Sequence, residues 1–209
     1  MKRWTTTKLS KCKGVEKIAC ITAYDAAFAR LFGGTGIKAI RNAGRLIQEG
    51  GADSVKLEGG VERAALVKRL VDNGIPVCAH IGLTPQSVLA FGGFGMHGKD
   101  SAEAEKLVAD AHALAAAGAF MIVLECVPDA LAERITSEIA IPTIGIGAGP
   151  FCDGQVLVMN DLLGMNPPEN TPRFVKRFAE IGSAVSVAVQ DYVREVEAGT
   201  FPKERKPKA

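Results

Sequence analysis

Three charged residues stand where short apolar runs end, and their types suit proton transfer and the binding of an anionic substrate. Lys56 and Glu58 close the run 54–58, and Glu125 closes the run 120–125. Residues i and i+2 of a strand share one face, so Lys56 and Glu58 are expected to point the same way. Charges on a buried strand are costly unless they are paired or hydrated. Either a structural Lys–Glu pair or a functional site would explain them.

Glu125 follows the most apolar run of the chain, residues 121–124. A carboxylate held against apolar neighbours suits a general base near neutral pH, whereas a strand-end Glu that faces solvent or caps a helix would be structural. His80 also ends an apolar run, and it could shuttle a proton, bind a substrate oxygen or be a buried structural histidine. His97 lies in the glycine-rich stretch 91–98, which has the composition of a mobile active-site loop.

Two familiar motifs are excluded by their spacing. The three histidines do not have the spacing of a zinc site. The glycines of residues 145–149 follow an apolar run as in a dinucleotide-binding turn, but Pro150 and another apolar run come next instead of a helix. We predict a tight turn there, at which a ligand approaches the backbone closely.

Six short runs rich in Val and Ile predict six strands, and helical periodicity separates most of them. The strands are predicted at residues 18–22, 54–58, 76–80, 120–125, 142–146 and 155–159. Helices are predicted at residues 26–32, 38–49, 61–73, 100–117 and 129–139, and a last one from an N-cap at Thr171 to Ala198 with an interruption near Gly182. Strands that alternate with helices predict a parallel sheet.

An internal repeat favours a closed barrel over an open, doubly wound sheet. Gly51 and Gly118 each precede an apolar run that ends in a glutamate, Glu58 or Glu125, seven residues later in both cases. A repeated unit with its polar residue at the carboxyl end of the strand is the barrel arrangement, because barrel active sites gather there.

The bulk composition fits a single domain, and it excludes other classes of protein. The chain has 209 residues, of which 47% are hydrophobic, and no apolar run reaches the roughly 18 residues of a membrane span. Residues 1–14 lack the apolar core of a secretory signal, so we expect a cytoplasmic protein. The net charge of +2 shows no concentrated basic face for nucleic acid, and residues 203–209 predict a disordered basic tail. The five cysteines are read as reduced, mostly buried residues.

Several strings of residues together resemble ketopantoate hydroxymethyltransferase (3-methyl-2-oxobutanoate hydroxymethyltransferase), a family of pantothenate biosynthesis. The strings are ITAYD at residues 21–25, VKLEGG at 55–60, HIGLTPQS at 80–87, VLECVP at 123–128, IGIGAG at 144–149 and DGQVLV at 153–158. They stand in the family's order along the chain.

The resemblance implies a (β/α)8 TIM barrel of the phosphoenolpyruvate/pyruvate type. It also implies transfer of a hydroxymethyl group from 5,10-methylenetetrahydrofolate to 3-methyl-2-oxobutanoate, giving 2-dehydropantoate through an enolate stabilised by a divalent metal, normally Mg²⁺. In this reading Glu125 is the proton acceptor, Lys56 contacts the substrate, Glu58 belongs to the metal site and His80 is a possible auxiliary. The resemblance implies a homo-oligomer, usually a decamer.

The chain departs from the family between its first and second strands. A barrel has eight strands and typically about 250 residues, and only six strands are predicted here. Two βα units with the family's Asp and Ser contacts to metal and substrate are missing, and the chain joins unusually at residues 33–38. Either residues are omitted there or the deletion is real, which would leave a barrel that cannot close.

The alternatives are therefore a related metal-dependent C–C lyase or mutase on another 2-oxo acid, or a degenerate, non-catalytic barrel.

Overall fold

Each apolar run predicted as a strand forms one, and together they build a single sheet. The computed structural model describes residues 5–22, 36–87, 89 and 92–203. Within them the strands are β1 (Ile18–Thr22), β2 (Val55–Glu58), β3 (Val77–Gly82), β4 (Met121–Glu125), β5 (Thr143–Ile146) and β6 (Gly154–Val158). The predicted strand bounds are confirmed to within two residues.

The described helices lie mostly where periodicity predicts them. They are α1 (Thr6–Ser10), α2 (Gly36–Gln48), α3 (Val61–Asp72), α4 (Ser101–Ala116), α5 (Asp129–Glu138), α6 (Met159–Leu162) and α7 (Ile181–Glu197), with 3₁₀ turns at Pro85–Ser87 and Pro168–Asn170. Asp100 caps α4, as predicted, by accepting a hydrogen bond from the backbone N–H of Glu103. Gly118 follows the helix with φ +96°, the left-handed conformation that favours glycine.

The prediction for the last helix is wrong at its start. The helix begins at Ile181, and Thr171 instead follows the second 3₁₀ turn. The N–H groups of Phe178 and Ile181 donate to the carbonyls of Leu162 and Leu163, which draws the preceding segment into a loop. The predicted helix at residues 26–32, residues 33–35 of the unusual join and residues 204–209 of the predicted tail lie outside the described residues.

The order of the strands is that of a barrel opened at one place. The sheet runs β1-β6-β5-β4-β3-β2, and β2 through β6 pair in parallel with their sequence neighbours. In a closed barrel the last strand also pairs with the first, and here β6 pairs with β1. Among the described strands, β1 and β2 stand at opposite edges although they are consecutive in the chain. The two strands expected from the family resemblance would lie between these edges. The predicted α/β fold, a partial TIM barrel, is confirmed.

The two faces of the sheet differ in chemistry. Alternate residues such as Leu57, Ile81 and Leu124 join a hydrophobic core that includes side chains of α2 to α5. Burying each such side chain contributes about 1.5–3 kcal/mol. The intervening positions carry the candidate site residues, and this alternation follows directly from the period of two in a strand.

The chain divides into two compact units, Met1–Val156 and Leu157–Ala209. The first contains nearly all of the sheet with α1 to α5. The second contains the end of β6 with α6 and α7, and within it Arg177 donates from Nη2 to the Gly164 carbonyl at 2.8 Å. Among the described residues, no helix combines the length and the apolarity needed to span a bilayer.

Candidate active site

The parallel register brings the predicted site residues together at the carboxyl ends of three neighbouring strands. Glu58 of β2 lies opposite His80 of β3, and Gly82 of β3 lies opposite Glu125 of β4. Because all these strands run in the same direction, their last residues meet at one edge of the sheet. Two sequence-distant glutamates therefore flank a single histidine.

His80 is the centre of this cluster, and its side chain is fully buried. Its Nε2 atom lies 3.2 Å from Oε2 of Glu125. Its Nδ1 atom lies 3.0 Å from Nζ of Lys56 and 3.6 Å from Oε1 of Glu58. Nζ of Lys56 also lies 3.7 Å from Oε1 of Glu58. We define these four residues as the strand-end cluster.

The contact with Lys56 determines which nitrogen of the neutral His80 ring carries the proton. An ammonium group can only donate hydrogen bonds, so Nδ1 must accept from Lys56 and cannot itself carry a proton. In the neutral ring the proton is then on Nε2, on the side of Glu125. Nε2 has no hydrogen bond within ideal angles, although the Glu125 carboxylate lies at 3.2 Å.

Glu58 is held as a carboxylate. Burial alone would raise its pKa, but the hydrogen bond from the backbone N–H of Gln86 and the Lys56 charge help to lower the pKa below its ordinary value. The backbone N–H of Gln86 donates to Oε2 at 3.1 Å, so the loop after β3 positions the Glu58 side chain. The charge pair on β2 is thus paired and partly hydrated, since half of the Lys56 side chain is exposed.

A glycine allows the chain to pass very close to the backbone of Glu125. Gly82 has φ +89°, and a Cβ there would lie 2.2 Å from the Glu125 carbonyl oxygen. Directly after Glu125, Cys126 has φ +49°, which is rare for a residue other than glycine and costs on the order of 1 kcal/mol. Such strain is often found beside functional residues, and here it turns the chain sharply after the glutamate.

The glycine-rich loop predicted near the site ends beside Glu125. The N–H of His97 donates to the Cys126 carbonyl at 2.8 Å, and Nδ1 of His97 lies 2.7 Å from Oε1 of Glu103. The N–H of Gly98 donates to Oε2 of the same glutamate at 2.6 Å. The first turn of α4 therefore holds the end of this loop. The third histidine, His112, is half exposed on α4 and pairs with Glu138, away from the strand-end cluster.

The predicted tight turn after β5 is confirmed. Gly147 and Gly149 have φ values of +60° and +70°, and a Cβ at Gly149 would lie 2.4 Å from the Asp129 carboxylate. All five cysteines are free thiols: Cys12, Cys78 and Cys152 are buried, and Cys20 and Cys126 are half-buried. Burial raises the pKa of the Cys78 thiol to about 12, so this thiol is unreactive.

Sequence reasoning missed two buried aspartates. Asp110 of α4 accepts a hydrogen bond from the N–H of Val61 and thereby caps α3 across space, at 2.8 Å. Asp153 links Thr143, Lys13 and Gly14. The sequence did hold a sign that Asp110 is buried and paired. It lies between Leu107 and Ala111 on an otherwise apolar helix face, where a lone carboxylate needs a partner.

Comparison with known proteins decides the family. The model of the ketopantoate hydroxymethyltransferase family matches residues 33–204. The chain belongs to this family. A 3-methyl-2-oxobutanoate hydroxymethyltransferase from Syntrophomonas wolfei is 60% identical over 167 residues, which are 80% of this chain and 60% of that protein. The protein of that name from Carboxydothermus hydrogenoformans gives the same identity and coverage.

A more distant hydroxymethyltransferase relative, from Halorhodospira halophila, is 50% identical over 185 residues, covering 88% of this chain and 66% of that protein. The chain spans about 60% of the length of the more similar relatives. A solved structure, the Amycolatopsis orientalis BexX/CysO complex, matches at 14% identity with a TM-score of 0.47, covering 95% of this chain and 87% of that one. This likeness is too weak to support an inference.

The described residues do not form the complete metal site expected for a ketopantoate hydroxymethyltransferase. Among them, no group of three or more His, Cys, Asp or Glu side chains is arranged to hold a metal ion. Glu58 offers one carboxylate, and the nearby Lys56 ammonium opposes a second cation at the same oxygen. A metal at Glu58 therefore needs further ligands that this part of the chain does not provide.

Proposed function

We propose that this protein transfers a hydroxymethyl group from 5,10-methylenetetrahydrofolate to 3-methyl-2-oxobutanoate, giving 2-dehydropantoate. The observation that carries the proposal is the strand-end cluster, in which one buried histidine contacts the candidate base Glu125 and the candidate substrate-binding Lys56. Family membership and the names of the relatives support the same reaction.

The bonds and protons of the proposed reaction balance without an oxidant or reductant. The C3–H bond of the keto acid breaks, and Glu125 accepts the proton. C3 then forms a new bond to the methylene carbon of the folate, both C–N bonds of the methylene bridge break, and water supplies the hydroxyl oxygen. The two nitrogens of tetrahydrofolate take up the proton from C3 and the proton from water.

Each residue of the cluster has a separate task in this proposal. The Lys56 ammonium binds the carboxylate or keto oxygen of the substrate and favours the negative charge that develops on the enolate. The Nε2–H group of His80 orients the Glu125 carboxylate, so His80 is a positioning residue.

Mg²⁺ and Glu58 as its ligand remain a prediction, and the described residues alone do not fit a full Mg²⁺ site. No step above depends on it. We also propose that the protein works in the cytoplasm as a homo-oligomer, a decamer by family likeness. Light scattering on the purified protein would contradict that assembly if it gave the mass of a monomer.

The proposal predicts that Glu125→Gln stops proton removal from the keto acid. We expect exchange of the C3 proton in D₂O, followed by proton NMR without folate, to fall by about 10²-fold to 10⁴-fold, the usual contribution of a general base. Glu133→Gln, on the exposed side of α5, is the matched control and should exchange at the unsubstituted rate. Unchanged exchange in Glu125→Gln would reject the assignment of the base.

A second function, a non-catalytic barrel, is favoured by two observations. The candidate Glu58 metal site lacks further ligands among the described residues, and β1 and β2 leave the sheet open between them. The same exchange experiment separates the two functions, because a non-catalytic barrel would show no C3 exchange with or without Mg²⁺. Activity assays with a panel of other 2-oxo acids would distinguish a lyase or mutase from the hydroxymethyltransferase and from the non-catalytic barrel.

A further inference from the structure

The chain turns sharply after the candidate base, and three backbone hydrogen bonds hold this turn. The Leu83 N–H donates to the Glu125 carbonyl at 2.8 Å, and the Cys126 N–H donates to the Ile146 carbonyl at 2.9 Å. These two bonds come from the carboxyl ends of the neighbouring strands. The third comes from the glycine-rich loop, where the His97 N–H donates to the Cys126 carbonyl at 2.8 Å. The loop therefore supports the residue that directly follows Glu125.

Cys126 depends on these hydrogen bonds more than an ordinary residue does. Its φ of +49° lies in the left-handed region, which is strained for a residue other than glycine. A strained conformation persists only when the surrounding contacts hold it in place. Loss of the contact from His97 would let Cys126 relax, and Glu125 would move with it because the two residues share a peptide bond.

The end of the loop, residues 97 and 98, is itself held by the Glu103 carboxylate in the first turn of α4. Oε1 of Glu103 lies 2.7 Å from Nδ1 of His97, and Oε2 accepts a hydrogen bond from the Gly98 N–H at 2.6 Å. Burial would raise the pKa of Glu103, but these two hydrogen bonds help to lower it below its ordinary value. A carboxylate can only accept, so Nδ1 of His97 carries the hydrogen. His97 therefore binds Glu103 through its side chain and Cys126 through its backbone.

The carboxylate of Glu103 has a firm support, because it belongs to a capped and packed helix. Asp100 accepts a hydrogen bond from the Glu103 N–H at 2.9 Å. Gly98 has φ +82°, and a Cβ there would lie 2.4 Å from Cδ2 of Leu131 and 3.0 Å from Cδ1 of Leu107. The end of the loop thus lies directly against α4 and α5, and Glu103 holds it from the first turn of α4.

We propose that Glu103 and His97 are positioning residues for the candidate base. Their hydrogen bond holds the end of the loop, so that the His97 N–H supports Cys126 and keeps the backbone of Glu125 in place beside His80. The inference rests on the proposed function. The two residues act through the backbone of Cys126 and not on the substrate, so their loss should affect the rate of proton removal more than the binding of the keto acid.

The test measures exchange of the C3 proton in D₂O at several keto-acid concentrations, for the whole protein and for His97→Ala, Glu103→Ala and His97→Asn. A misplacement of about 1 Å can cost up to about 10²-fold in rate, so each alanine variant should lower the maximal exchange rate by about tenfold. The half-saturating concentration should stay within about twofold, because Lys56 still binds the substrate. His97→Asn should recover most of the rate, because its amide N–H can donate to Glu103 from nearly the place of Nδ1.

His112→Ala is the matched control, because it removes the other contact between a histidine of α4 and a glutamate. In that contact Nε2 of His112 lies 3.0 Å from Oε2 of Glu138, away from the strand-end cluster. This variant should exchange at the unsubstituted rate. Equal maximal rates in His97→Ala and His112→Ala would overturn the proposal. So would a loss that His97→Asn does not restore, or a higher half-saturating concentration at an unchanged maximal rate.

Hydrogen–deuterium exchange of the backbone, followed by mass spectrometry, tests the inference without turnover. The amides of residues 97–98 and of Cys126 should lose protection in Glu103→Ala and keep it in His112→Ala. Unchanged protection in Glu103→Ala would overturn the inference even if the rate fell. Absent C3 exchange in the unsubstituted protein rejects the proposed function alone, and amide exchange still decides whether Glu103 holds the turn after Glu125.

Discussion

At the scale of single residues, the buried Asp153 carboxylate accepts hydrogen bonds from several donors. Asp153 is only 6% exposed and accepts hydrogen bonds from the N–H groups of Thr143 and Gly14 and from Nζ of Lys13. Burial would raise its pKa, but these hydrogen bonds and the Lys13 charge lower it below the ordinary value. This carboxylate therefore joins the N-terminal segment to β5 and to the turn before β6.

We predict that Asp153→Asn destabilises the protein by about 3 kcal/mol at pH 7, because an amide cannot accept all the hydrogen bonds that the carboxylate accepts from these donors. A carboxyl group whose pKa is lower in the folded protein than in the unfolded chain stabilises the fold at pH values above its unfolded-state pKa, near 3.9. This stabilisation is lost as the pH falls through the folded-state pKa. Urea unfolding at several pH values should show the difference between the variant and the unsubstituted protein shrinking below about pH 4. A difference that is constant with pH would contradict the role of the charge.

His80 gives a second prediction at this scale. His80→Leu should lower kcat and kcat/KM for the keto acid together, by about tenfold to hundredfold, because the orientation of Glu125 matters most in the transition state. His80→Gln should recover part of the loss, since its amide N–H can donate to Glu125. The half-exposed His112→Gln serves as control. An increase in KM with unchanged kcat would show that His80 acts through substrate binding instead.

At the scale of elements, the contact between β1 and β6 depends on close approach of two backbones. The N–H of Ile18 donates to the Asp153 carbonyl at 2.9 Å. A Cβ on Gly154 would lie 2.2 Å from the Ile18 carbonyl oxygen and 2.8 Å from Cδ1 of Ile144. Only glycine allows the last strand to pair here with the first, and this pairing is the one that a barrel needs to close.

We predict that Gly154→Ala destabilises the protein by about 2–4 kcal/mol, the range for overpacking with backbone displacement. Gly44→Ala is the matched control, because a Cβ at Gly44 meets nothing within 4 Å and the residue lies inside α2. That change should be neutral or stabilise by up to about 1 kcal/mol. Thermal unfolding followed by circular dichroism measures both. Equal melting temperatures for the two variants would contradict the packing argument.

At the scale of the whole molecule, the open edges of the sheet and the greater length of the relatives both indicate missing βα units. Among the described strands, β1 and β2 form the open edges of the sheet, and the chain spans about 60% of the length of its more similar relatives. Exposed edges of a parallel sheet leave backbone donors and acceptors unpaired, which favours aggregation. Two further βα units between these strands would close the barrel and could carry the metal ligands that the described residues lack.

We predict that the intact natural subunit contains those two units. Its mass should exceed the 22.0 kDa of this chain by about 6–7 kDa, from about 30 residues for each βα unit. Mass spectrometry of the undigested subunit measures this directly. A mass of 22.0 kDa would support a real deletion and with it the non-catalytic barrel.

The sequence by itself determined the strands, most helices and the residues worth testing. Apolar runs with a period of two place Lys56 and Glu58 on one face whatever the fold, and the strand-end position of Glu125 is equally local. The start of α7 could not be predicted, because backbone hydrogen bonds from Phe178 and Ile181 to distant carbonyls override the local helical signal.

Only the tertiary structure decided how the candidate residues meet. The parallel register of β2, β3 and β4 places His80 between Glu58 and Glu125, and no spacing in the sequence specifies that register. The cap made by Asp110 and the hydrogen bonds made by Asp153 join segments far apart in the chain. Such contacts depend on packing rather than on local propensity, so they appear only when the sheet and its helices are assembled.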